Sequence, residues 1–162
     1  MKTLLILRHA KSSWKDDSLA DYDRPLNRRG KVDAPRMGTL IRDENLVPGI
    51  IISSSALRAR ATVVLISNAC GYEGDVKYSR ALYAAGSEAY IEELATLSDI
   101  VDCALVVGHN PGLEELIEEL SGEYQPLPTA ALAKLKLPIQ SWAELKNDIK
   151  CTSLNIWYPR EF

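Results

Sequence analysis

The chain has 162 residues and a mass of 17.9 kDa, about the size of one ordinary domain. Hydrophobic residues make up 46% and charged residues 25%, a composition that excludes a disordered or fibrous chain. The chain has 19 Lys and Arg against 22 Asp and Glu, a net charge of −3, which argues against a domain whose main function is to bind nucleic acid.

Membrane insertion and secretion are not expected from the sequence. No apolar run reaches the ~18 residues that span a bilayer, and the N-terminal apolar stretch is shorter than that of a signal peptide. The three cysteines, Cys70, Cys103 and Cys151, are widely spaced and form no CxxC pair, which argues against a disulfide framework or a structural zinc site. We therefore expect a reduced, cytoplasmic protein with no membrane partner.

Short apolar runs predict the strands of a sheet. In chain order they are residues 3–7, 48–55, 75–79, 104–107, 130–137 and 151–158. The runs at 3–7 and 104–107 are continuous, as expected for strands buried on both faces, whereas the last two alternate apolar and polar residues as edge or antiparallel strands do.

Longer amphipathic segments alternate with these strands and predict helices. One extends from about residue 56 to residue 69 and stops at Gly71. Between residues 31 and 41 the apolar spacing is helical, but Gly30 and Pro35 interrupt it, so we expect a kink there or a restart capped by Asp33.

The helix that follows residues 104–107 has a clear start signal. Asn110 is a natural N-cap, and Pro111 fits the first helical position. The alternation of strands and helices along residues 1–162 predicts a single three-layer α/β/α domain with a mostly parallel sheet.

Charged side chains follow three of the predicted strands. Arg8 and His9 leave the first strand, Arg58 lies just after the second, and His109 leaves the strand at 104–107. In an open α/β sheet, ligands bind beyond the carboxyl ends of the strands. One histidine at a strand end is usually a turn residue, but both histidines of the protein together with two arginines indicate a ligand site.

These residue types suit a phosphoryl group, which is a dianion. Arg8 and Arg58 can each present a permanently charged fork of donors to its oxygens. A neutral His9 can attack phosphorus through its outer nitrogen if its inner nitrogen donates to a backbone carbonyl, and Arg8 disfavours the imidazolium form. We expect His109 to be a protonated donor to the phosphoryl oxygens.

Two further residues are candidates for phosphate binding. Asn110 and the helix N-terminus behind it would add partial positive charge in the direction of the phosphate. Lys15 lies in the loop after His9 and could reach the phosphate or be solvated. The scheme requires neither a metal nor a cofactor.

Four ordered segments carry a resemblance to a known family. LRHAKSSW resembles the RHG nucleophile motif of the histidine phosphatase superfamily, SSSALRARAT resembles its second arginine segment, and VVGHNPG resembles its second histidine motif. DYDRPLNRRG is similar to a pattern of the SixA-type protein-histidine phosphatases. The resemblance implies a phosphoglycerate mutase-like fold and a covalent phosphohistidine on His9.

The sequence departs from the superfamily pattern at two places. Ala10 replaces the motif glycine, as is familiar in SixA-like sequences. Tyr83 stands near the place where relatives that cleave phosphate esters carry an acidic glutamate; Asp16 or Asp17 is the alternative acid. A phosphoramidate can dispense with a strong protein acid because its leaving imidazole is readily protonated, whereas an alkoxide leaving group cannot.

The favoured interpretation is a metal-independent phosphatase acting on phosphohistidine in a protein, such as a histidine-containing phosphotransfer domain. The alternatives are a phosphatase of small phosphorylated molecules, a non-catalytic phosphoprotein-binding module, and a two-histidine metal hydrolase. The third alternative predicts inactivation by a chelator. Asp23, Arg24 and Arg29 are expected to form structural ion pairs rather than to touch substrate.

Overall fold

A single mixed sheet of six strands forms the centre of the computed structural model, which describes residues 1–160. The strands are β1 (Lys2–Arg8), β2 (Ile50–Ser54), β3 (Val76–Ser79), β4 (Cys103–Gly108), β5 (Leu132–Leu137) and β6 (Ser153–Trp157). Their spatial order is β3-β2-β4-β1-β5-β6. The first four strands in chain order pair in parallel, and β5 and β6 are antiparallel. Both features confirm the predicted sheet.

Helices cover both faces of this sheet. They are α1 (Arg28–Asp43), α2 (Leu57–Cys70), α3 (Ser87–Ala95) and α4 (Gly112–Ser121). Single 3-10 turns lie at Asp21–Asp23, Arg80–Leu82 and Trp142–Glu144. None of the helices within residues 1–160 is long and apolar enough to cross a membrane.

Alternate residues of β1 enter two separate apolar cores. Leu4 and Ile6 pack with residues of α3 and α4, whereas Leu5 and Leu7 pack with residues of α1 and α2. This alternation is the period-2 pattern of a strand buried on both faces. The domain therefore has the three layers predicted from the sequence.

Helix α1 is uninterrupted, so the predicted restart at Asp33 is wrong. Asn27 caps the helix instead, because its side chain accepts a hydrogen bond of 2.9 Å from the backbone N–H of Gly30. Pro35 lies inside the helix. Close packing on α2 holds the helix together: a Cβ added at Gly38 would lie 2.7 Å from the backbone of α2. Asp33 is buried and pairs with Arg29 at 3.4 Å.

Helix α4 begins at Gly112, and Asn110 does not cap it as predicted. Pro111 occupies the N-cap position and follows a cis peptide bond. The side-chain amide of Asn110 instead donates to the backbone carbonyl of Leu127 at 2.8 Å. The side-chain oxygen of Asn110, the atom that would cap the helix, is buried and has no hydrogen-bond partner within residues 1–160. The end of α2, by contrast, is as predicted, with Gly71 at a φ of 78°.

Candidate active site

The two histidines leave neighbouring parallel strands at the same level. The register of β1 and β4 pairs Arg8 with Gly108, and the backbone N–H of His9 donates to the carbonyl of Gly108 at 3.0 Å. The ring centroids of His9 and His109 are consequently 5.1 Å apart. The structure thus brings together the two histidines that the strand pattern predicts to meet.

The hydrogen bonds of His9 leave its outer nitrogen as a nucleophile. Nδ1 lies 2.8 Å from the carbonyl oxygen of Ala10, and because a carbonyl only accepts, the ring proton must be on Nδ1. Nε2 therefore carries a lone pair, toward which Nε of Arg58 donates at 3.4 Å.

Burial keeps this histidine neutral. His9 is 6% exposed, and desolvation, followed by the charges of His109, Arg58 and Arg8, lowers its pKa to about 3. Arg8 acts in the predicted direction, but it is the smallest of these influences.

His109 is also neutral at pH 7 in the phosphate-free site, so the expected imidazolium is wrong for this state. Burial, followed by the charge of Arg58, lowers its pKa to about 4. Its Nε2 lies 2.8 Å from Oγ of Ser54, which itself accepts from the backbone N–H of Ala56. When the Ser54 hydroxyl donates to Nε2, the ring proton is on Nδ1, which is buried and has no partner within residues 1–160. A neutral His109 can then still donate to an anion.

Arg58 contacts a residue that sequence reasoning missed, Asp21. The guanidinium donates to the backbone carbonyl of Asp21 at 2.7 Å and to its carboxylate at 3.1 Å. Tyr83 donates to the same carboxylate at 2.6 Å, and Arg24 donates at 3.0 Å. These hydrogen bonds, with that of Tyr83 the strongest influence, lower the pKa of Asp21 to about 2. The carboxylate is therefore ionised at neutral pH.

Arg8 and Asn110 share one backbone acceptor. The guanidinium of Arg8 donates to the carbonyl of Leu127 at 3.3 Å, and Asn110 donates to the same oxygen. Nε of Arg8 is buried and has no hydrogen-bond partner within residues 1–160. Arg8 and Asn110 thus both hold the loop at Leu127, and Oδ1 of Asn110, like Nε of Arg8, has no hydrogen-bond partner within the described residues.

The structure does not bring Lys15 to the histidines. Lys15 is exposed and lines a separate groove with Asn27 and Lys31. Asp16, one of the two alternative acids, is exposed and accepts hydrogen bonds from Ser18.

Two side chains that position the site had no local sequence signal. Thr62 in α2 accepts a hydrogen bond of 3.0 Å from the backbone N–H of Ala10 and donates one of 2.7 Å to the carbonyl of Arg58. Tyr90 in α3 accepts from the backbone N–H of His109 at 3.1 Å. Gly108 permits this approach, because a Cβ there would lie 2.0 Å from the Tyr90 hydroxyl.

The arrangement of these groups suits covalent phosphoryl transfer. A neutral imidazole with an available lone pair can attack phosphorus. Arg58 donates toward the imidazole of His9 at 3.4 Å, and the ring centroid of His109 lies 5.1 Å from that of His9. Within residues 1–160, no three His, Cys, Asp or Glu side chains converge as ligands for a metal ion. The fold and the site together are those expected of an α/β phosphoryl-transfer protein.

Comparison with known proteins identifies the family to which the chain belongs. The sequence model of the histidine phosphatase superfamily (branch 1) matches residues 4–83. An uncharacterized protein of Mycobacterium leprae is 34% identical over 144 residues, which cover 86% of this chain and 86% of the relative. The chain belongs to the histidine phosphatase superfamily, and this membership supports phosphatase activity.

Solved structures of the same fold include proteins of the SixA group. The structure from Agrobacterium tumefaciens that is provisionally named phosphohistidine phosphatase SixA is 29% identical, with a TM-score of 0.80 over 95% of this chain and 97% of that chain. A protein histidine phosphatase SixA solved with tungstate has a TM-score of 0.80 at 20% identity, over 94% of this chain and 95% of that one, and shows the likeness of fold. The predicted phosphoglycerate mutase-like fold is confirmed.

Proposed function

We propose that the protein hydrolyses phosphohistidine on a protein substrate through a covalent phosphohistidine at His9, without a metal ion. The observation that carries this proposal is the state of His9. Ala10 holds the ring proton on Nδ1, and burial keeps the ring neutral, so that the Nε2 lone pair is available.

In the first step, Nε2 of His9 forms a bond to phosphorus while the bond to the substrate nitrogen breaks. Arg8, Arg58 and His109 donate to the phosphoryl oxygens, where the charge of the transition state lies. The approaching dianion favours uptake of a proton by His109, which is neutral before phosphate binds.

In the second step, water attacks the phosphorus of the enzyme adduct. The P–N bond breaks, its electron pair returns to Nε2, and the proton released from water passes to bulk solvent. Inorganic phosphate leaves, and His9 regains its neutral form with the proton on Nδ1.

The proposed preference for phosphohistidine rests on the ionised state of the carboxylate that contacts Arg58. Asp21 is the carboxylate in contact with Arg58, and its pKa of about 2 leaves it ionised at neutral pH. An ionised carboxylate cannot protonate an alkoxide, but a phosphoramidate needs no such proton from the protein. The names of the SixA structures, which refer to histidine phosphatases, support the same substrate class.

The covalent intermediate is tested by trapping. We expect a labelled phosphohistidine donor to transfer label to the protein in an acid-labile, alkali-stable form that is absent in His9→Ala. Lys15→Ala is the matched control, since Lys15 lies in the same loop but on a separate groove, and it should keep the label. An acid-stable adduct, or label retained in His9→Ala, would contradict the proposal.

Substrate class is tested separately by comparing hydrolysis of a phosphohistidine-bearing phosphotransfer domain with hydrolysis of sugar phosphates and nucleotides. We expect the phosphotransfer domain to have the higher kcat/KM. A higher kcat/KM for a small ester would show that the substrate is a small phosphorylated molecule rather than a protein. The proposed covalent intermediate would not be affected by that result.

A further inference from the structure

An ionised carboxylate lies where a phosphate-binding site has no evident use for one. Asp21 contacts the guanidinium of Arg58, and a carboxylate at that position repels an incoming phosphoryl dianion. Three side chains nevertheless hold it in place: Tyr83, Arg58 and Arg24. This carboxylate is useful to the reaction if another part of the substrate is a cation.

We propose that Asp21 selects phosphohistidine over phosphate esters by accepting a hydrogen bond from the protonated imidazole of the leaving group. This assignment rests on the proposed function and adds to it a residue that determines specificity. The leaving group of an ester offers no cationic N–H, so the same carboxylate would hinder an ester.

The position of Asp21 fits this role because Arg58 lies between it and the nucleophile. Nε of Arg58 is directed at His9, at 3.4 Å, while both terminal nitrogens are directed at Asp21, at 2.7 and 3.1 Å. A phosphoryl group bound to this guanidinium therefore has the nucleophile on one side and the carboxylate on the other.

The carboxylate of Asp21 is also accessible and has acceptor capacity left. Its side chain is 46% exposed, so a substrate side chain can reach it from solvent. Oδ2 accepts from Arg58 and Tyr83, and among the described residues Oδ1 accepts only from Arg24. Since a carboxylate offers about four acceptor sites, Oδ1 can take one more donor.

The chemistry of the leaving group balances without a proton transfer from the protein. Phosphohistidine that is protonated on its unphosphorylated ring nitrogen donates that N–H to Asp21. As Nε2 of His9 bonds to phosphorus, the P–N bond of the substrate breaks and its electron pair stays on the substrate nitrogen. The product is a neutral imidazole that keeps its proton on the other nitrogen, whereas departure from the unprotonated form would give an imidazolate anion. Asp21 thus stabilises the reactive, protonated form.

The test is a substitution that removes the charge of Asp21 but keeps an acceptor for Tyr83. Asp21→Asn is expected to lower kcat/KM for a phosphohistidine peptide about 10- to 100-fold, the effect of losing one hydrogen bond to a charged group. The value for p-nitrophenyl phosphate should stay the same or rise. Asp23→Asn, in the same 3-10 turn, is the matched control and should change neither value.

Three outcomes separate this inference from the function on which it rests. A wild-type protein that does not hydrolyse phosphohistidine refutes the proposed function. If the wild-type protein hydrolyses phosphohistidine but Asp21→Asn lowers kcat/KM equally for the phosphohistidine peptide and for p-nitrophenyl phosphate, only the specificity role is refuted. Asp21 then merely positions Arg58. Asp21→Glu restores the charge, so partial recovery with the phosphohistidine peptide is expected, and a lack of recovery in a folded variant also counts against the role.

Discussion

Nε of Arg58 donates to Nε2 of His9 over 3.4 Å, so a single guanidinium group contacts both the imidazole of His9 and the carboxylate of Asp21. The distance is long for a hydrogen bond, and the interaction is correspondingly weak. Arg58 can therefore turn its N–H toward a phosphoryl oxygen without a large loss of interaction energy. Binding and attack are in this way served by one side chain.

Replacement of Arg58 is expected to lower the rate far more than it lowers stability. Arg58→Ala should reduce kcat/KM by ~10²–10³, as the loss of a charged donor in such a site does. Arg58→Lys should recover little of this loss, because an ammonium group cannot reach His9, the backbone carbonyl of Asp21 and its Oδ2 together. Steady-state kinetics on each variant measures kcat/KM, and circular dichroism checks that the variant is folded.

The control for this prediction is Arg60→Ala, two residues further along α2. Arg60 is exposed and its guanidinium lies 4.6 Å from the ring centroid of Tyr78. Its removal should leave the rate unchanged. A fully active Arg58→Lys would show that charge alone, without the fork geometry, is sufficient.

Thr62 connects the nucleophile loop to α2, and its hydroxyl should be needed for both stability and rate. Thr62→Val keeps the shape of the side chain but leaves the buried N–H of Ala10 without its acceptor. We expect a loss of about 1–3 kcal/mol in the free energy of unfolding. We also expect a lower kcat, because Ala10 holds the ring of His9.

Thr62→Ser retains the hydroxyl and is the matched variant, which should keep most of the rate. Urea denaturation and steady-state kinetics compare the two. If Thr62→Val is as stable and as active as the wild type, the bridge between the loop and α2 has no energetic role.

The neutral histidines predict that acidification destabilises the fold. An unfolded histidine takes up a proton near its ordinary pKa of 6.5, but folded His109 and His9 do so only at about 4 and about 3. The unfolded chain therefore binds more protons between these values, so stability rises with pH across this window and falls as the pH drops. Between about pH 7.5 and about pH 5, each histidine should contribute a loss of about 1–2 kcal/mol.

Urea denaturation at these two pH values measures this loss. His109→Gln removes one of the two titrating rings, so the variant should lose less free energy on acidification than the wild type. The carboxylates with lowered pKa titrate below this range and do not obscure the comparison. Equal losses in both proteins would mean that the pKa of His109 is the same in the folded and the unfolded chain.

The meeting of the two histidines was predictable because both follow continuous apolar runs. Parallel neighbouring strands end at the same edge of a sheet, and Arg8, His9 and His109 stand at those ends. The antiparallel character of β5 and β6 was predictable from their alternating residues. In each of these cases the local pattern and the tertiary structure agree.

The residues that the sequence did not predict reach the site from other elements. Asp21 begins the SixA-like segment DYDRPLNRRG, but only Asp23, Arg24 and Arg29 of that segment were given a role, as structural ion pairs. The contact of Asp21 with Arg58 depends on how the 3-10 turn packs against α2. Thr62 and Tyr90 are helix residues whose side chains find backbone partners across the fold. The neutral state of His109 depends on burial, which a sequence pattern does not reveal.

The continuity of α1 likewise depends on a tertiary contact that the local sequence pattern does not reveal. Pro35 is a sound local signal for an interruption, yet tight contact between Gly38 and α2 keeps the helix whole. Asn110 is likewise a residue typical of an N-cap, but its side-chain amide donates to the carbonyl of Leu127 and does not cap α4.

The place of β1 in the sheet has a consequence for biosynthesis. Of the six strands, β1 is synthesised before the others, but its two pairing partners, β4 and β5, lie at Cys103–Gly108 and Leu132–Leu137. At about 5–20 residues per second, the ribosome needs roughly 5–20 s to add the hundred or so residues that separate β1 from β4. During that time an apolar strand with both edges open is a target for chaperones and for aggregation. Phosphatase activity is not expected on the nascent chain before β4 emerges, because His9 follows β1 whereas His109 follows β4.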